Sequence, residues 1–468
     1  MTSRSLRLTV WVLFAYGLAL SACSSGGSQG VPQSQRTGSP PPSPSPSPKA
    51  TATPATGSIQ HIVIIVQENR SFDNIFSGFP GADAPTYGYQ ATQKIPLRAT
   101  PLQDGYLNNN YSDAIDSWDG GKMDDFDEAQ PAGQGPPGLP LSYVPRRQSA
   151  PYWSMAQQYV LADHMFPTEF GPSFTAHLNL IGGNTELIPG QSAEVDTPVQ
   201  LPWGCDAPAG TTTYTLNSQR EEMSGGPFPC FTQFRTLADT LDAAGITWKY
   251  YAPSVFTGGL GGKAWSEFSA IEKVRYGPDW ANVVSPETTV LNDIPAGKLP
   301  AVSWVIPDLA NSDHPGSGSD TGPSWVASVV NAVGTSSYWK TSAIVILWDD
   351  WGGWYDDLAP PQLDFRGLGI RVPCIVVSPY ARTTSAQQPG YVSHTQYEFG
   401  SVLAFVEQAF GLPVLGSEAD GYTDARATSL SDVFDFQQAP RKFNVIMAPQ
   451  SRTFFLHQAH SGLPPDND

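Results

Sequence analysis

Two adjacent acids, Asp349 and Asp350, directly follow the apolar run Ala343–Leu347. A short, fully apolar run is typical of a strand that is buried on both faces of a parallel sheet. An unpaired charge at the end of such a strand is costly to bury, and a bound cation would remove that cost. The acid pair therefore predicts a metal site at the carboxyl edge of an α/β sheet, where open sheets bind ligands.

A second apolar run, Ile59–Val66, leads into Glu68 and Asn69. The carboxyl ends of parallel strands meet at one sheet edge, so these side chains can join the acid pair. The alternative is that Glu68 pairs on the surface with Arg70 or Lys122. The spacing of the residues leaves both readings open.

A hydroxyl with two possible roles follows the Gly171-Pro172 turn. The turn would expose Ser173, which makes this residue a candidate nucleophile. The alternative is an ordinary helix N-cap, a position that serine favours. His177 lies four residues further on, so on a helix it would face the same site.

Strands alternate with helical segments along the chain, which predicts an α/β fold with a largely parallel sheet and loop-rich inserts. The predicted strands are Ile59–Val66, Thr247–Tyr251, Val302–Ile306, Ala343–Leu347 and Val372–Val377. The predicted helices are Tyr152–Tyr159, Phe234–Ala244, Trp325–Ala332 and Tyr397–Phe410.

The composition is that of a globular protein with an ample core. The chain has 468 residues, of which 40% are hydrophobic and 15% charged, and its net charge is -18. Such an acidic balance argues against nucleic-acid binding through bulk electrostatics. It does not exclude a phosphate ester that is held by a metal.

The N-terminus predicts export. Residues 1–23 combine a positively charged start with the apolar stretch Val10–Leu20, which is too short to span a bilayer comfortably. The stretch ends in Leu20-Ser21-Ala22-Cys23, which resembles a bacterial lipobox. That resemblance implies lipidation of Cys23 and a protein anchored to the cell envelope, either periplasmic or on the cell surface. The alternative is an ordinary signal peptide and a secreted protein.

The rest of the chain divides by composition. Residues 24–57 are rich in proline and serine and predict a disordered linker. We expect a folded domain at 58–440 with an insert at about 184–232, and a C-terminal extension at 441–468. In an exported protein, Cys205 and Cys230 would form a disulfide within the insert.

Eight motifs in a fixed order resemble the bacterial phosphoesterase family that joins phospholipases C with a group of acid phosphatases. The resemblance covers roughly residues 58–437. The motifs are Glu68–Asp73, Gly120–Asp124, Gly171–Ser173, Ser312–Pro315, Trp348–Asp356, Arg371–Pro373, Ser378–Tyr380 and Tyr391–Glu398. One such motif would be moderate support for this resemblance, whereas the ordered set of eight is highly specific for the family.

The resemblance implies an alkaline-phosphatase-like, three-layer α/β/α sandwich that hydrolyses phosphate esters with one divalent metal ion. Ser173 maps onto the nucleophile, with Thr175 as the second choice, and a phosphoseryl intermediate is expected. The implied metal ligands are Glu68, Asn69, Ser173, Asp349 and Asp350.

The same resemblance implies further groups for catalysis and substrate binding. His314 would bind or protonate the substrate, unless it is a loop histidine that faces water. His394 is assigned to catalysis, although it could instead bond a backbone group at the start of the following helix. The substrate-binding assignments are Asn109, Lys122 and His177.

The chain departs from its relatives around the substrate. Many relatives carry a histidine before the Gly120–Asp124 motif, where Asn109 is the nearest match here. Asp357 stands where relatives often have histidine, and Asp125 where they have glycine. These changes predict altered specificity or weak activity.

Two functions of different classes follow. The first is a metal-dependent phosphomonoesterase or phospholipase C that acts on a phosphate ester or phospholipid. The second is a catalytically weak or inactive envelope-binding lipoprotein that retains the fold. An exposed rim made by Trp348, Trp351 and Trp354 would favour a phospholipase, but we expect Trp348 and Trp354 to pack in the core and Trp351 to line the cleft.

Overall fold

The computed structural model describes residues 58–131, 135–253, 267–385 and 390–459. The predicted signal peptide with Cys23, the predicted linker at 24–57 and the last residues of the predicted extension lie outside these ranges.

A nine-stranded sheet forms the centre of the domain. The strands of this sheet are β1 His61–Gln67, β6 Val160–Phe166, β11 Trp248–Tyr251, β12 Val283–Val284, β13 Val302–Val305, β14 Ser342–Trp348, β15 Val372–Val377, β16 Tyr391–Ser393 and β17 Tyr397–Glu398. Their order in the sheet is β12-β11-β13-β1-β14-β15-β6-β16, with β17 also paired to β6. The smaller strands are β2 Tyr87–Gln90, β3 Gln93–Pro96, β4 Arg98–Ala99, β5 Ser142–Tyr143, β7 Glu186–Ile188, β8 Ser192–Glu194, β9 Tyr214–Asn217 and β10 Glu222–Ser224.

All strands of the central sheet except β15 run in one direction, which confirms the largely parallel prediction. The exception has a simple cause. β14 ends at the carboxyl edge, and β15 starts from that same edge after the loop 349–371. A parallel neighbour would need a crossover back to the opposite edge.

The helices pack as two groups. The helices are α1 Phe72–Phe76, α2 Tyr111–Trp118, α3 Ala150–Gln158, α4 Ser173–Gly182, α5 Leu237–Ala244, α6 Glu272–Arg275, α7 Thr289–Asp293, α8 Gly322–Gly334, α9 Phe399–Phe410 and α10 Arg452–His457. In the first group α8 contacts α3, α7 and α10, and in the second α4 contacts α5 and α9. Within the described ranges, no helix is both long and apolar enough to cross a membrane.

Two tryptophans place these groups on opposite faces of the sheet. Trp304 Nε1 donates to the Leu180 carbonyl in α4, while the Trp348 ring packs on Tyr152 in α3. Ile64 pairs with both Trp304 and Val345, so Trp304 shares a face with Val345, and Trp348 lies on the opposite one because side chains alternate along a strand. The predicted three-layer arrangement is confirmed.

The predicted insert has its own small sheet. Strands β10-β9-β8-β7 pair antiparallel, and Cys205 forms a disulfide with Cys230. The described part of the predicted extension packs on the main domain, since Ile446 and Phe455 are buried in the same core. Asn331 in α8 also exchanges two hydrogen bonds with the Ile446 backbone.

Candidate active site

Two neighbouring parallel strands bring the predicted ligands together. Gln67 pairs with Trp348 at the carboxyl ends of β1 and β14. The next residues on each strand are therefore adjacent, and all four are buried. These four residues are Glu68, Asn69, Asp349 and Asp350, which we call the acidic cluster.

Backbone amides hold the carboxylates in place. Asp349 Oδ1 accepts hydrogen bonds from the backbone nitrogens of Asn69, at 2.9 Å, and Asp350, at 2.7 Å. Asp350 Oδ1 accepts one from the backbone nitrogen of Gly352 at 2.7 Å. Such charge-assisted bonds fix the orientation of a carboxylate.

Two glycines allow the loops to approach one another. A Cβ on Gly352 would lie 2.1 Å from the Asn69 carbonyl oxygen, and one on Gly353 would lie 2.7 Å from the Asn108 carbonyl oxygen. Both residues have positive φ, and Asn69 is also left-handed at φ 54. The Gly-Gly pair therefore lets the loop after β14 lie against the loop that contains Asn69 and the loop that contains Asn108.

Ser173 projects its hydroxyl into the acidic cluster. It is the first residue of α4, and Pro172 holds the N-cap position, so the N-cap alternative for Ser173 is wrong. Ser173 Oγ lies 3.2 Å from Asp350 Oδ2 and 3.4 Å from Glu68 Oε2. Thr175 instead donates its hydroxyl to the Pro172 carbonyl at 3.1 Å. The geometry thus favours Ser173 over Thr175.

His177 faces the same cluster, as its position four residues after Ser173 predicts. Its Nε2 lies 3.0 Å from Glu68 Oε1 and 3.7 Å from Asp349 Oδ2. These three side chains offer ligand atoms that all lie within 4.8 Å of one another. The predicted role of His177 in substrate binding stays a prediction.

The residues present fit a divalent cation. Asn69 Oδ1 and Asp349 Oδ2 are buried without a hydrogen bond among the described residues. Buried oxygens of this kind are costly unless they meet a donor or a cation. The surface alternative for Glu68 is wrong, because its side chain is fully buried. Carboxylate, amide and hydroxyl oxygens suit a hard or borderline metal ion.

Asn109, the nearest match to the missing histidine, lies beside the cluster. Its Nδ2 donates to both carboxylate oxygens of Asp350, at 3.0 and 3.1 Å. The amide therefore orients a candidate ligand. A role in substrate binding stays a prediction.

His314 lies in a loop that is fixed to the end of β1. The Ser312 carbonyl accepts a hydrogen bond from the Glu68 backbone at 2.7 Å. The His314 ring is buried, so the reading of a loop histidine that faces water is wrong. His314 Nδ1 lies 2.7 Å from the Pro315 carbonyl, which is an acceptor. The predicted catalytic role of His314 stays a prediction.

The structure places two other predicted residues away from this cluster. His394 Nδ1 lies 2.9 Å from Asp163 Oδ2, so its contact is neither with the acidic cluster nor with a helix start. Lys122 is 67% exposed and pairs with Asp119. The predicted catalytic role of His394 and the predicted substrate contact of Lys122 gain no support from these positions.

A buried ion-pair network, whose role the sequence did not reveal, supports the loop after β14. Arg371 Nε donates to Asp356 Oδ1 at 2.9 Å, and Arg371 Nη2 donates to Asp357 Oδ1 at 3.0 Å. The backbone nitrogen of Asp73 donates to Asp356 Oδ2 at 3.2 Å. Burial raises the pKa of Asp356 to about 7 and, together with the charge of Asp356, raises the pKa of Asp73 well above its ordinary value. The aspartate found where relatives often have histidine is thus a partner of Arg371.

A further network behind the site involves Asp313 and Tyr152, which the sequence also did not reveal. Tyr152 Oη donates to Asp313 Oδ2 at 2.6 Å, and Gln67 Nε2 donates to Tyr152 Oη at 3.1 Å. Burial raises the pKa of Asp313 to about 6. These bonds join the His314 loop to the residue that precedes Glu68.

The tryptophans at the end of β14 and in the loop after it are buried, namely Trp348, Trp351 and Trp354. Trp351 packs on Phe126 with ring centroids 5.6 Å apart. These side chains therefore form no exposed rim for a lipid surface.

A mostly parallel α/β sandwich with a hydroxyl aimed at buried carboxylates defines the class of protein as an α/β enzyme. The model of the Phosphoesterase family matches residues 59–413. The chain belongs to the Phosphoesterase family and is a hydrolase that acts on phosphoric ester bonds. Phosphoesterases of this family are typically metal-dependent, which agrees with the candidate ligand groups.

Relatives and solved structures give the range of similarity. Phospholipase C A of Mycobacterium tuberculosis is 25% identical over 447 residues, which cover 82% of this chain and 78% of that protein. Non-hemolytic phospholipase C of Pseudomonas aeruginosa is 24% identical, over 81% of this chain and 57% of that protein. A Vibrio parahaemolyticus protein in the alkaline phosphatase superfamily overlays with a TM-score of 0.33 at 12% identity, over 76% of this chain and 68% of that chain.

Proposed function

We propose that this protein hydrolyses phosphate esters, either phosphomonoesters or phospholipids, through Ser173 as nucleophile. The observation that carries the proposal is the position of Ser173 Oγ, within 3.4 Å of Glu68 and 3.2 Å of Asp350. A neutral hydroxyl beside two buried carboxylates is not an anion-binding site by itself. With a divalent ion it becomes one, and the candidate ligands are Glu68, Asn69, Ser173, Asp349 and Asp350.

The bound ion would supply Lewis-acid chemistry, lowering the pKa of the serine hydroxyl and offsetting charge on the phosphoryl oxygens. Ser173 Oγ forms the new bond to phosphorus, and the bond from phosphorus to the leaving alkoxide breaks. The phosphoseryl group is then hydrolysed by water, which regenerates the serine hydroxyl.

The other side chains of the site orient the candidate ligands or exchange protons with the substrate. His177 holds Glu68 through the contact at 3.0 Å, and Asn109 holds Asp350 through its amide. His314 Nδ1 faces the Pro315 carbonyl and so carries a proton, which leaves the lone pair on Nε2 in the neutral ring. The doubly protonated ring donates its Nε2 proton to the leaving alkoxide and returns to the neutral form.

The substrate class follows from similarity and is part of the proposal. The relatives at 25% and 24% identity are phospholipases C, which favours a phospholipid. The buried tryptophans do not add to that argument. Turnover of p-nitrophenyl phosphate and of its phosphorylcholine ester, compared in the same preparation, separates phosphomonoesterase from phospholipase C activity.

Metal removal tests the proposal as a whole. Chelation should abolish turnover of both esters, and one divalent metal should restore it. If correctly folded protein turns over neither ester with any common divalent metal, the enzyme proposal fails. Binding of an ester without turnover would instead support the catalytically weak lipoprotein, which the use of Asn109 in place of histidine favours.

Export with a lipid on Cys23 is also a proposal. The disulfide between Cys205 and Cys230 supports export, because disulfides persist mainly outside the cytoplasm. The lipid rests on the lipobox-like sequence alone. Mass spectrometry of the mature N-terminus tests this directly. An acylated Cys23 is expected, and an unmodified N-terminus at another residue would mean a secreted form.

A further inference from the structure

A second group of metal-ligand side chains lies near the edge of the central sheet. Its members are Asp163 and His164 in β6 and His394, which follows β16. One ligand atom from each lies within 4.8 Å of the others. The group shares no residue with the acidic cluster, and β15 separates β6 from β14. We call it the edge group.

The backbone around the edge group is held by Arg371. Its Nη1 donates to the carbonyls of Asp83 and Asp163, both at 2.9 Å. The backbone nitrogen of Asp83 also donates to Asp163 Oδ2 at 2.8 Å. These bonds bring the Asp83 carboxylate to the same place and fix Asp163, whose side chain is fully buried.

The separations are close to those of a metal site. His394 Nδ1 lies 2.9 Å from Asp163 Oδ2. His164 Nε2 lies 3.9 Å from Asp163 Oδ1 and 3.7 Å from Asp83 Oδ2. Ligand atoms around tetrahedral Zn²⁺ are about 3.3 Å apart, given bonds of about 2.0–2.1 Å. The three separations given above each differ from this value by about 0.6 Å or less.

One nitrogen of the edge group is unsatisfied. His164 Nε2 is buried and has no hydrogen bond among the described residues. Its neighbours are the carboxylate oxygens of Asp83 and Asp163. A ring nitrogen that points at two carboxylates without bonding either is in a suitable position to coordinate an ion between them.

We propose that Asp163, His164 and His394 bind a divalent transition-metal ion, with Asp83 as the fourth ligand. Zn²⁺ fits best, because two imidazoles with carboxylates are typical zinc ligands, whereas the acidic cluster offers mainly oxygen. The ion would join the loop of Asp83, strand β6 and the turn between β16 and β17. This assignment replaces the predicted catalytic role of His394.

The experiment uses the full chain, stripped of metal and titrated with Zn²⁺ in a calorimeter. The double variant His164→Ala, His394→Ala should bind one equivalent less than wild type and lose the thermal stabilisation that micromolar Zn²⁺ gives. His457→Ala is the control, because His457 is an exposed histidine whose Nδ1 lies 2.8 Å from the Thr453 carbonyl. It should bind as wild type does. Co²⁺ in wild type should give visible absorption bands that the double variant lacks.

Two outcomes would overturn the proposal. They are equal Zn²⁺ stoichiometry in wild type and double variant, and no binding to wild type at micromolar Zn²⁺. If the double variant fails to fold, His394→Ala alone decides, since that side chain is 58% exposed and its loss opens no cavity. A tenfold or greater loss of Zn²⁺ affinity in this variant supports the site, and unchanged affinity refutes it.

Discussion

Ser173 Oγ and Asp350 Oδ2 lie 3.2 Å apart, although 177 positions of the chain separate the two residues. The hydroxyl comes from the start of α4, and the carboxylate comes from the loop after β14. Both are buried, so the contact depends on the packing of α4 against the sheet rather than on local sequence. The predictions below test the chemistry that this relationship supports.

Replacing the nucleophile should stop the reaction. Ser173→Ala is expected to lower turnover by roughly 10³-fold or more, because no group remains to form the bond to phosphorus. Rapid-mixing kinetics with p-nitrophenyl phosphate should show no burst. Thr175→Ala, which removes a hydroxyl bonded to the Pro172 carbonyl, should keep the burst. The opposite pattern would assign the nucleophile to Thr175.

The close approach at Gly352 should be required for both stability and activity. Gly352→Ala places a Cβ 2.1 Å from the Asn69 carbonyl oxygen at φ +61, so the loop must shift. We expect a loss of about 2–4 kcal/mol in the free energy of unfolding and a large fall in turnover. Gly411→Ala is the matched control, because Gly411 has a φ of +67 and a Cβ added there would have no atom within 4 Å. It should cost only about 1 kcal/mol and leave turnover unchanged, as measured by denaturant unfolding and ester hydrolysis.

Removing the amide that orients Asp350 should weaken metal binding. Asn109→Ala deletes the bonds to both Asp350 oxygens, and loss of such a supporting group typically costs about 10–100-fold in metal affinity. Metal titration of the stripped protein measures this. The neighbour Asn110 makes no side-chain capping bond at the start of α2, so Asn110→Ala is the control. Equal affinities in the two variants would mean that Asn109 does not support the site.

The stability of the folded protein should fall as pH rises, because of Glu194. Burial raises the pKa of this side chain in the folded protein to about 8, above its unfolded value of 4.5. Its contribution to stability is therefore complete below about pH 4.5 and is lost as pH rises through about 8. Glu194→Gln stays neutral, so its melting temperature should exceed that of wild type by an amount that grows from pH 5 to pH 8. The exposed Glu221→Gln should follow wild type at every pH, and a constant difference for Glu194→Gln would refute the assignment.

The sequence by itself predicted the parts whose signals are local. Apolar runs such as Ala343–Leu347 marked buried strands, and the acids after them marked a site, because burial of an unpaired charge is costly. The ordered motifs identified the family. Two cysteines in one insert of a chain predicted to be exported identified the disulfide. The antiparallel direction of β15 was not predicted, since strand direction depends on the path of the connecting loop rather than on strand composition.

Only the tertiary structure decided which of the candidate side chains meet. It brought His177 to Glu68 and Asn109 to Asp350, and it placed His394 with Asp163 instead. Residue types and spacing say which groups can do chemistry, but sheet register and helix packing set distances between residues far apart in the chain. For that reason the candidate ligands that follow β1 and β14 were predictable from strand ends, whereas the partners of the loop histidines were not.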